Sequence, residues 1–179
     1  MILENATRKD YRQIKRLFIS AFPKEERPPF YALKRKLKTG EAKMYVAKDN
    51  GNFIGFIHLV CFKDLIYLFF FAIQDEFRGK GYGSKVIKTL IAQNPDKRIF
   101  LAREPLDDTA DNNAQRISRR QFYMRNGFTD LPLKIVEGGY VFDSMGVNCK
   151  ISAKDYHDVT LNWAGKRLHR LVNFHAIEQ

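Results

Sequence analysis

Residues 75–84 have the sequence DEFRGKGYGS, and the interpretation of the whole chain begins from this segment. It follows an unbroken apolar run, Leu65–Ile73, and it precedes apolar residues at helical spacing that continue to about Asn94. A strand that is apolar on both faces is typical of the centre of a sheet. The segment is therefore predicted to be a glycine-rich turn that leads from a central strand into a helix.

This turn has the features of a phosphate-binding loop. The N–H groups at a helix N-terminus lack helical partners, and the helix dipole makes that end partially positive. Glycines at positions 79, 81 and 83 let the backbone approach a ligand closely, while Arg78 and Lys80 add positive charge. The spacing matches neither Gly-x-x-x-x-Gly-Lys-Ser/Thr nor Gly-x-Gly-x-x-Gly. A strand-to-helix turn without a ligand is the alternative interpretation.

Hydrophobic periodicity predicts a mixed α/β domain around one central sheet. Strands are predicted at residues 2–6, 42–48, 52–62, 65–73 and 99–102, and as a pair around the Gly138-Gly139 turn. Helices are predicted at residues 8–21, after Pro28-Pro29, up to about residue 94, at 112–126, and after an N-cap at Ser152. Residues 166–179 match no element, and one domain over residues 1–179 is expected.

Composition limits the class of protein. A chain of 179 residues with 45% hydrophobic residues can bury a substantial core. Its longest apolar run is far shorter than the about 20 residues that span a membrane, and no signal peptide is seen. Cys61 and Cys149 lack the spacing of a disulfide framework or a metal clamp, so a cytoplasmic protein without a metal is expected. The formal net charge of +11 favours acidic partners such as nucleic acid or a phosphorylated cofactor.

Two motifs resemble those of the GNAT N-acetyltransferase superfamily. Residues 78–83, RGKGYG, match Arg/Gln-x-x-Gly-x-Gly/Ala, and residues 122–128, FYMRNGF, resemble Tyr-x-x-x-Gly-Phe in the same order along the chain. The resemblance covers residues 2–145 and leaves residues 146–179 as a C-terminal extension with a helix. It implies a mixed, mostly antiparallel twisted sheet, flanked by helices and splayed between its fourth and fifth strands.

The resemblance implies that acetyl-CoA is the co-substrate. The pyrophosphate of coenzyme A would lie on the backbone N–H groups of residues 79–84, and its pantetheine arm would pair with the edge of the fourth strand. Family members often carry Asn where this chain has Arg116, so Asn112 or Asn113 could substitute, or neither. The implied cofactor-binding residues are Phe71, Ala72, Ile73, Arg78, Gly79, Lys80, Gly81, Tyr82, Gly83, Ser84 and Asn113.

The resemblance also implies catalytic roles, with the amine attacking the thioester directly in a ternary complex. Tyr123 is the expected proton donor to the leaving thiolate, and the alternative is a core tyrosine. Glu104 is the candidate general base, and the alternative is a solvated loop residue. Glu25 and Glu26 are candidates for binding a cationic acceptor, and the alternative is a solvated charged loop. His58 is expected to be a hydrogen-bonded residue of the sheet, and the alternative is a side chain that points into the substrate cleft.

The acceptor is expected to be a primary amine of a small molecule or a protein, and its identity stays open. A longer acyl donor and either a monomer or a dimer are also compatible with the sequence. A different class of function is a nucleic-acid-binding or regulatory module on a GNAT-like scaffold without turnover. The net charge and the arginine-bearing helix at 112–126 favour that module. The phosphate loop and Tyr123 favour the enzyme, so nucleic acid is the less favoured partner.

Overall fold

The structure is a computed structural model that describes residues 1–147 and 149–178. Asn148 and Gln179, the last residue of the predicted domain, lie outside the described residues. The strands are β1 (Ile2–Asn5), β2 (Ala42–Asp49), β3 (Asn52–Phe62), β4 (Leu65–Ile73), β5 (Arg98–Arg103), β6 (Thr129–Glu137), β7 (Tyr140–Val147) and β8 (His175–Glu178). The helices are α1 (Tyr11–Ala21), α2 (Phe30–Lys38), α3 (Tyr82–Ala92), α4 (Asn113–Arg125) and α5 (Ala153–Val172).

The strands form one mixed sheet in the order β1-β2-β3-β4-β5-β7-β6-β8. Strand β2 is antiparallel to β1 and β3, and β7 and β8 are antiparallel to β6. Strands β4 and β5 are parallel, with Leu65–Tyr67 opposite Arg98–Phe100, so the first three residues of each strand pair. This mixed, mostly antiparallel sheet confirms the predicted fold class, while a splay beyond the paired residues stays a prediction.

The chain divides into two compact units, and a single domain stays a prediction. Unit 1 consists of residues 1–61 and 68–95, and unit 2 consists of residues 62–67 and the chain from residue 96 onward. The core of unit 1 is built around Phe18 of α1, which is almost fully buried. Its ring contacts Phe22, Phe56 and Phe70 at centroid distances of 5.7, 6.4 and 4.9 Å. Aromatic packing of this kind holds α1 against β3 and β4.

Unit 2 is organised around a partly buried carboxylate. The hydroxyls of Tyr67 and Tyr156 both donate to Glu137 Oε1, at 2.8 and 2.6 Å. The Tyr67 ring stacks on Phe100 at 4.7 Å, and burial raises the pKa of Tyr156 well above its usual value. These contacts fix β4, β6 and α5 together, because a buried phenol needs a polar partner.

Helix α5 begins where the sequence predicted. The Ser152 hydroxyl accepts from the Asp155 N–H at 3.1 Å, and the Asp155 carboxylate accepts from the Ser152 N–H at 3.1 Å. This reciprocal arrangement is a capping box, so the predicted N-cap is confirmed.

Two boundaries differ from the prediction. Helix α1 begins at Tyr11 instead of residue 8, because the Asp10 carboxylate accepts from the Thr7 N–H and hydroxyl, both at 2.8 Å, and holds residues 7–10 in a turn. Residues after 165 do contain structure: α5 continues to Val172 across a non-helical Gly165, and β8 pairs with β6. Four residues that pair with a distant strand carry too little periodicity to be recognised. No helix in the two described ranges is long and apolar enough to cross a membrane.

Candidate active site

The loop between β4 and α3 has the backbone geometry that the glycines predicted. After β4 ends at Ile73, residues 75–77 form a 3-10 turn, and the chain then passes through Gly79 and Gly81. Both adopt left-handed conformations, with φ of 73° and 80°, which side chains with a Cβ rarely adopt. Gly81 is the N-cap of α3, where no side chain among the described residues forms a capping hydrogen bond.

Arg78 links this loop to the end of β4. Its Nε donates to the Ile73 carbonyl oxygen at 3.1 Å, and its guanidinium forms an ion pair with Asp75 at 2.9 Å. The side chain is 57% exposed, so the guanidinium charge is accessible beside the helix start. Binding of a cofactor phosphate by Arg78 stays a prediction.

The start of α3 is anchored to the end of β2. The Tyr82 hydroxyl donates to Asp49 at 2.8 Å, and Asp49 also pairs with the N-terminal ammonium group at 2.7 Å. The hydrogen bond to Asp49 raises the pKa of Tyr82. The Tyr82 hydroxyl is thus engaged within the protein. Cofactor contact by Tyr82, like that by Lys80, Gly83 and Ser84, stays a prediction.

The C-terminal end of β4 carries the predicted pantetheine-binding residues directly before the loop. Phe71 is partly exposed, whereas Ala72 and Ile73 are buried. Strand β3 approaches closely here, since a Cβ on Gly55 would lie 2.3 Å from the Ala72 carbonyl oxygen. The Gln74 N–H donates to the Ile54 carbonyl at 2.9 Å and continues this contact. Sequence reasoning missed Gly55, although a glycine inside a strand often marks a close approach of two backbones.

Tyr123 lies near the end of α4 and is 8% exposed. Its ring contacts Phe122 and Phe128 at centroid distances of 5.2 and 5.4 Å. Burial raises the pKa of Tyr123 to about 12. The phenol therefore stays protonated at neutral pH, which is the state a proton donor requires.

Glu104 lies in a cluster of cationic and amide groups. Arg119 donates to its carboxylate at 2.7 Å, the Asn112 amide donates at 3.1 Å, and Arg116 lies 3.4 Å away. Partial burial acts to raise the pKa of Glu104, but the hydrogen bonds from Asn112 and Arg119 outweigh it and the pKa is lowered. A carboxylate with a lowered pKa is a weak base, so this environment weighs against the predicted role as general base.

Asn112 and Asn113, at the start of α4, hold the loop that precedes the helix. The Asn113 side chain accepts from the Asp107 N–H at 3.1 Å and donates to Asp108 at 2.9 Å. The Asn112 oxygen accepts from Arg116 Nε at 2.7 Å. These contacts give Asn113 a local structural role, and its contact with a cofactor stays a prediction.

Glu25 and Glu26 lie in an exposed 3-10 turn between α1 and α2. They are adjacent on the surface of unit 1. Recognition of a cationic acceptor by this pair stays a prediction.

The comparison with protein families identifies the group to which this chain is related. A family model described as an acetyltransferase (GNAT) domain matches residues 40–130. The chain belongs to the GNAT acetyltransferase family. The matched GNAT range includes the loop at 78–84, Glu104 and Tyr123, whereas Glu25 and Glu26 lie outside it.

Solved structures share the GNAT fold at low sequence identity. A GNAT-family protein from Bacteroides thetaiotaomicron is 24% identical, with a TM-score of 0.73, covering 90% of this chain and 96% of its own. An aminoglycoside 6'-N-acetyltransferase in complex with coenzyme A is 16% identical, with a TM-score of 0.62 and coverages of 82% and 96%. A ribosomal-protein-S18-alanine N-acetyltransferase from Escherichia coli is 14% identical, with a TM-score of 0.64 and coverages of 86% and 97%. The curated proteins contain no match to this chain.

His58 of this GNAT protein is buried without the expected hydrogen bonds. It is 0% exposed, and both ring nitrogens lack a partner among the described residues. Burial lowers the pKa of His58 to about 3, so the imidazole is neutral at pH 7. Its ring lies about 6 Å from the rings of Phe69 and Phe70, at 6.1 and 6.2 Å between centroids. The prediction of a hydrogen-bonded sheet histidine is wrong, because the neighbouring side chains are aromatic.

Arg103 at the end of β5 was not recognised from the sequence of this GNAT protein. It is 6% exposed, and its guanidinium pairs with Asp143 at 3.0 Å and Asp130 at 3.1 Å. It also donates to the Glu104 carbonyl oxygen at 3.0 Å, which positions the residue after the strand. The sequence gives no local signal for this pairing, because both carboxylates belong to strands that are far from Arg103 in the sequence. In the described part of the chain, no group of three His, Cys, Asp or Glu side chains could hold a metal ion.

Proposed function

We propose that this GNAT protein is an N-acetyltransferase that moves the acetyl group of acetyl-CoA to a primary amine. The observation that carries the proposal is the start of α3, where two left-handed glycines precede a helix without a side-chain cap. Similar solved structures include enzymes named for acetylation of aminoglycosides, of spermidine and of a ribosomal-protein alanine. Those names support an amine acceptor, on a small molecule or a protein.

The loop suits the pyrophosphate of coenzyme A for electrostatic and steric reasons. The N–H groups of the first turn of α3 point out of the helix end and carry its partial positive charge. The glycines at 79 and 81 have open space where a Cβ would lie, so a phosphate can approach the backbone. The Arg78 guanidinium adds a full positive charge beside the loop, and its bond to the Ile73 carbonyl keeps it there. The edge residues Phe71, Ala72 and Ile73 then remain candidates for pairing with the pantetheine amides.

The chemistry is direct attack by the amine on the thioester in a ternary complex. The free amine attacks the thioester carbonyl carbon, and the carbon–sulfur bond of the resulting tetrahedral intermediate then breaks. The leaving thiolate takes a proton and the amine nitrogen releases one to solvent, which gives the amide and coenzyme A. Tyr123 is the proposed donor of that proton, because its buried phenol stays protonated at neutral pH. Glu104 is better suited to hold Arg116 and Arg119 than to deprotonate the amine. The proposed location is the cytoplasm, and Cys61 and Cys149, both described, form no disulfide.

Calorimetry with coenzyme A tests the loop directly. Gly81→Asp places a carboxylate and a Cβ at a left-handed position in the loop, and affinity should fall about 100-fold, or about 2.7 kcal/mol. The matched control is Gly51→Asp, because Gly51 has the same φ of 80° and open space around it in the β2–β3 turn. This control should bind as the wild type does. Failure of the wild type to bind coenzyme A would refute the proposal, as would equal losses in both variants.

Thiol release from acetyl-CoA in the presence of amine acceptors then tests turnover. Tyr123→Phe should lower kcat about 100-fold and leave coenzyme A affinity unchanged, because only the proton donor is removed. Tyr140→Phe removes the hydroxyl of an exposed tyrosine and serves as the control. An unchanged kcat in Tyr123→Phe would remove this tyrosine from the mechanism.

A further inference from the structure

Unit 1 contains a concave surface that shares no residue with the loop at 78–84, Glu104 or Tyr123. Its volume is about 920 Å³, and it lies along α2 beside the start of β2, the end of β1 and the start of α1. No Asp or Glu is among its lining residues. We call it the basic groove, after the five cationic side chains that line it: Arg8, Lys34, Arg35, Lys38 and Lys43.

The cations of the basic groove lack carboxylate partners among the described residues. None of the five pairs with a carboxylate of residues 1–147 or 149–178. Lys36 on the same helix does form an ion pair, with Glu41 at 2.8 Å, so acidic residues are within reach of α2 on its other side. Like charges at helical spacing repel one another. A bound anion would relieve that repulsion and gain from all five charges.

The spacing on α2 adds an aromatic ring to this charged surface. Tyr31, Lys34, Arg35 and Lys38 follow the i, i+3, i+4, i+7 pattern and share one face of the helix. Tyr31 is 71% exposed, which leaves its ring face accessible at the groove. Tyr11 also lines the groove, with the Lys34 ammonium 5.5 Å from its ring centroid. Exposed aromatic rings beside cationic side chains are the features that bind single-stranded nucleic acid, through base stacking and phosphate contacts.

We propose that the basic groove binds nucleotides, with the phosphates on the five cationic side chains and a base stacked on Tyr31. The nucleotide is either free or part of a single-stranded nucleic acid. The volume lies within the range of small-ligand sites, so a nucleotide or a short strand segment fits better than a duplex. An acidic peptide would satisfy the charges but would leave the exposed tyrosine ring without a stacking partner. This inference is independent of the proposed acetyl transfer, because the groove and the loop at 78–84 share no residue.

The test is fluorescence anisotropy with labelled oligouridine of about twelve nucleotides, with the full chain in saturating coenzyme A so that the donor loop is occupied. Five phosphate contacts predict a log–log salt slope of about −3.5, so affinity should fall about 100-fold between about 50 and about 200 mM salt. The double variant Lys34→Gln/Lys38→Gln loses two phosphate contacts and should make that slope less negative by about 1.4. Tyr31→Leu should weaken binding about tenfold at constant slope, because stacking is lost and charge is not.

A matched variant separates the basic groove from the general positive charge of the protein. Lys88→Gln/Arg125→Gln removes two exposed cations on other helices, neither of which has an ion pair within the described residues. Its salt slope and affinity should equal those of the wild type. An equal loss in this control and in Lys34→Gln/Lys38→Gln would overturn the proposal. Circular dichroism of each variant checks that folding is retained.

Two further ligands distinguish the sources of the nucleotide. Uridine monophosphate that competes with the oligonucleotide at comparable concentration identifies a free nucleotide as the ligand. Competition only by the oligonucleotide identifies a nucleic-acid strand, and both results support the proposal. Binding of oligoglutamate with the same dependence on Lys34 and Lys38, without binding of oligouridine, would overturn it.

Discussion

Helices α4 and α2 are both strongly basic, yet their charges have different environments. On α4, Arg116 and Arg119 contact Glu104, and Arg120 forms an ion pair with Asp130 at 2.5 Å. In the sequence, the arginines of this helix favour a nucleic-acid-binding or regulatory module. The structure shows that carboxylates of unit 2 contact three of the four arginines of α4, which weakens the case for α4 as an anion-binding surface.

Helix α2 received no such prediction, although Lys34, Arg35 and Lys38 have no carboxylate partner among the described residues. The number of charges on a helix is visible in a sequence. Whether those charges are available depends on which acidic residues the fold brings beside them. The comparison therefore moves the candidate anion-binding surface from α4 to α2.

Removing a carboxylate from unit 2 should have the largest effect. Asp130→Ala deprives the buried Arg103 of one of its two carboxylates and Arg120 of its partner. Because a buried charge that loses its partner is strongly destabilising, the free energy of unfolding should fall by about 3 kcal/mol. Urea unfolding at pH 7 measures this change.

Asp158→Ala is the control for that variant, because Asp158 pairs with the exposed Lys154 on α5. Its unfolding midpoint should stay close to that of the wild type. If Asp130→Ala lowered the free energy of unfolding as little as Asp158→Ala does, the ion pairs of unit 2 would contribute little to stability. The contrast between the charges of α4 and those of α2 would then fail.

Buried polar groups extend the comparison, since Arg103 pairs with two carboxylates whereas His58 has no hydrogen-bond partner among the described residues. The pKa of His58 is about 3 in the folded protein, below the usual value of about 6.5 in an unfolded chain. The unfolded state therefore binds more protons between these values, and stability falls as pH drops below about 6.5. His58→Leu should remove this dependence on pH. Its free energy of unfolding relative to that of the wild type should therefore rise by about 2 kcal/mol between about pH 7.5 and about pH 5.

Urea unfolding of both proteins at each pH measures the difference. His157→Leu, which removes a half-exposed imidazole from α5, should keep the slope of the wild type. Parallel pH profiles for the wild type and His58→Leu would show that His58 is not the group responsible.

Glu104→Gln tests whether the cluster at α4 is structural or catalytic. As a partner of Arg116 and Arg119, this carboxylate should contribute about 1 kcal/mol to stability, and its removal should change kcat less than about threefold. As a general base, it would contribute about 100-fold or more to kcat. The pH dependence of kcat/KM separates the two roles, because loss of the acidic limb in Glu104→Gln would restore Glu104 as the base.

Arg35→Glu should give the smallest effect. It should raise the stability of the protein but weaken its binding of oligouridine. It replaces like-charge repulsion along α2 with an attraction to Lys38, so the free energy of unfolding should rise by about 0.4 kcal/mol at low salt. Oligouridine affinity should fall, because the basic groove loses a cation and gains an anion. Arg35→Gln should show about half of each change. A variant that is destabilised at low salt would show that Arg35 has a partner within the fold.

Local signals in the sequence were sufficient for several elements. The apolar run at 65–73, the glycines at 79 and 81, and the Ser152–Asp155 pair each predict structure from residues that are neighbours in the chain. They were confirmed as β4, as a turn between β4 and α3, and as a capping box. Strand β8 was missed because its pairing partner, β6, lies about forty residues away and contributes no local pattern.

The sequence by itself therefore determined the GNAT resemblance, the order of most elements and the position of the loop that suits a phosphate. The tertiary structure alone decided which polar groups have partners: it joined Glu104 to Arg119, Arg103 to Asp130 and Asp143, and surrounded His58 with aromatic rings. The physical reason is the separation in sequence between the residues that interact. Turns, caps and apolar periodicity arise from residues a few positions apart, whereas ion pairs and desolvation depend on side chains that only the folded chain brings together.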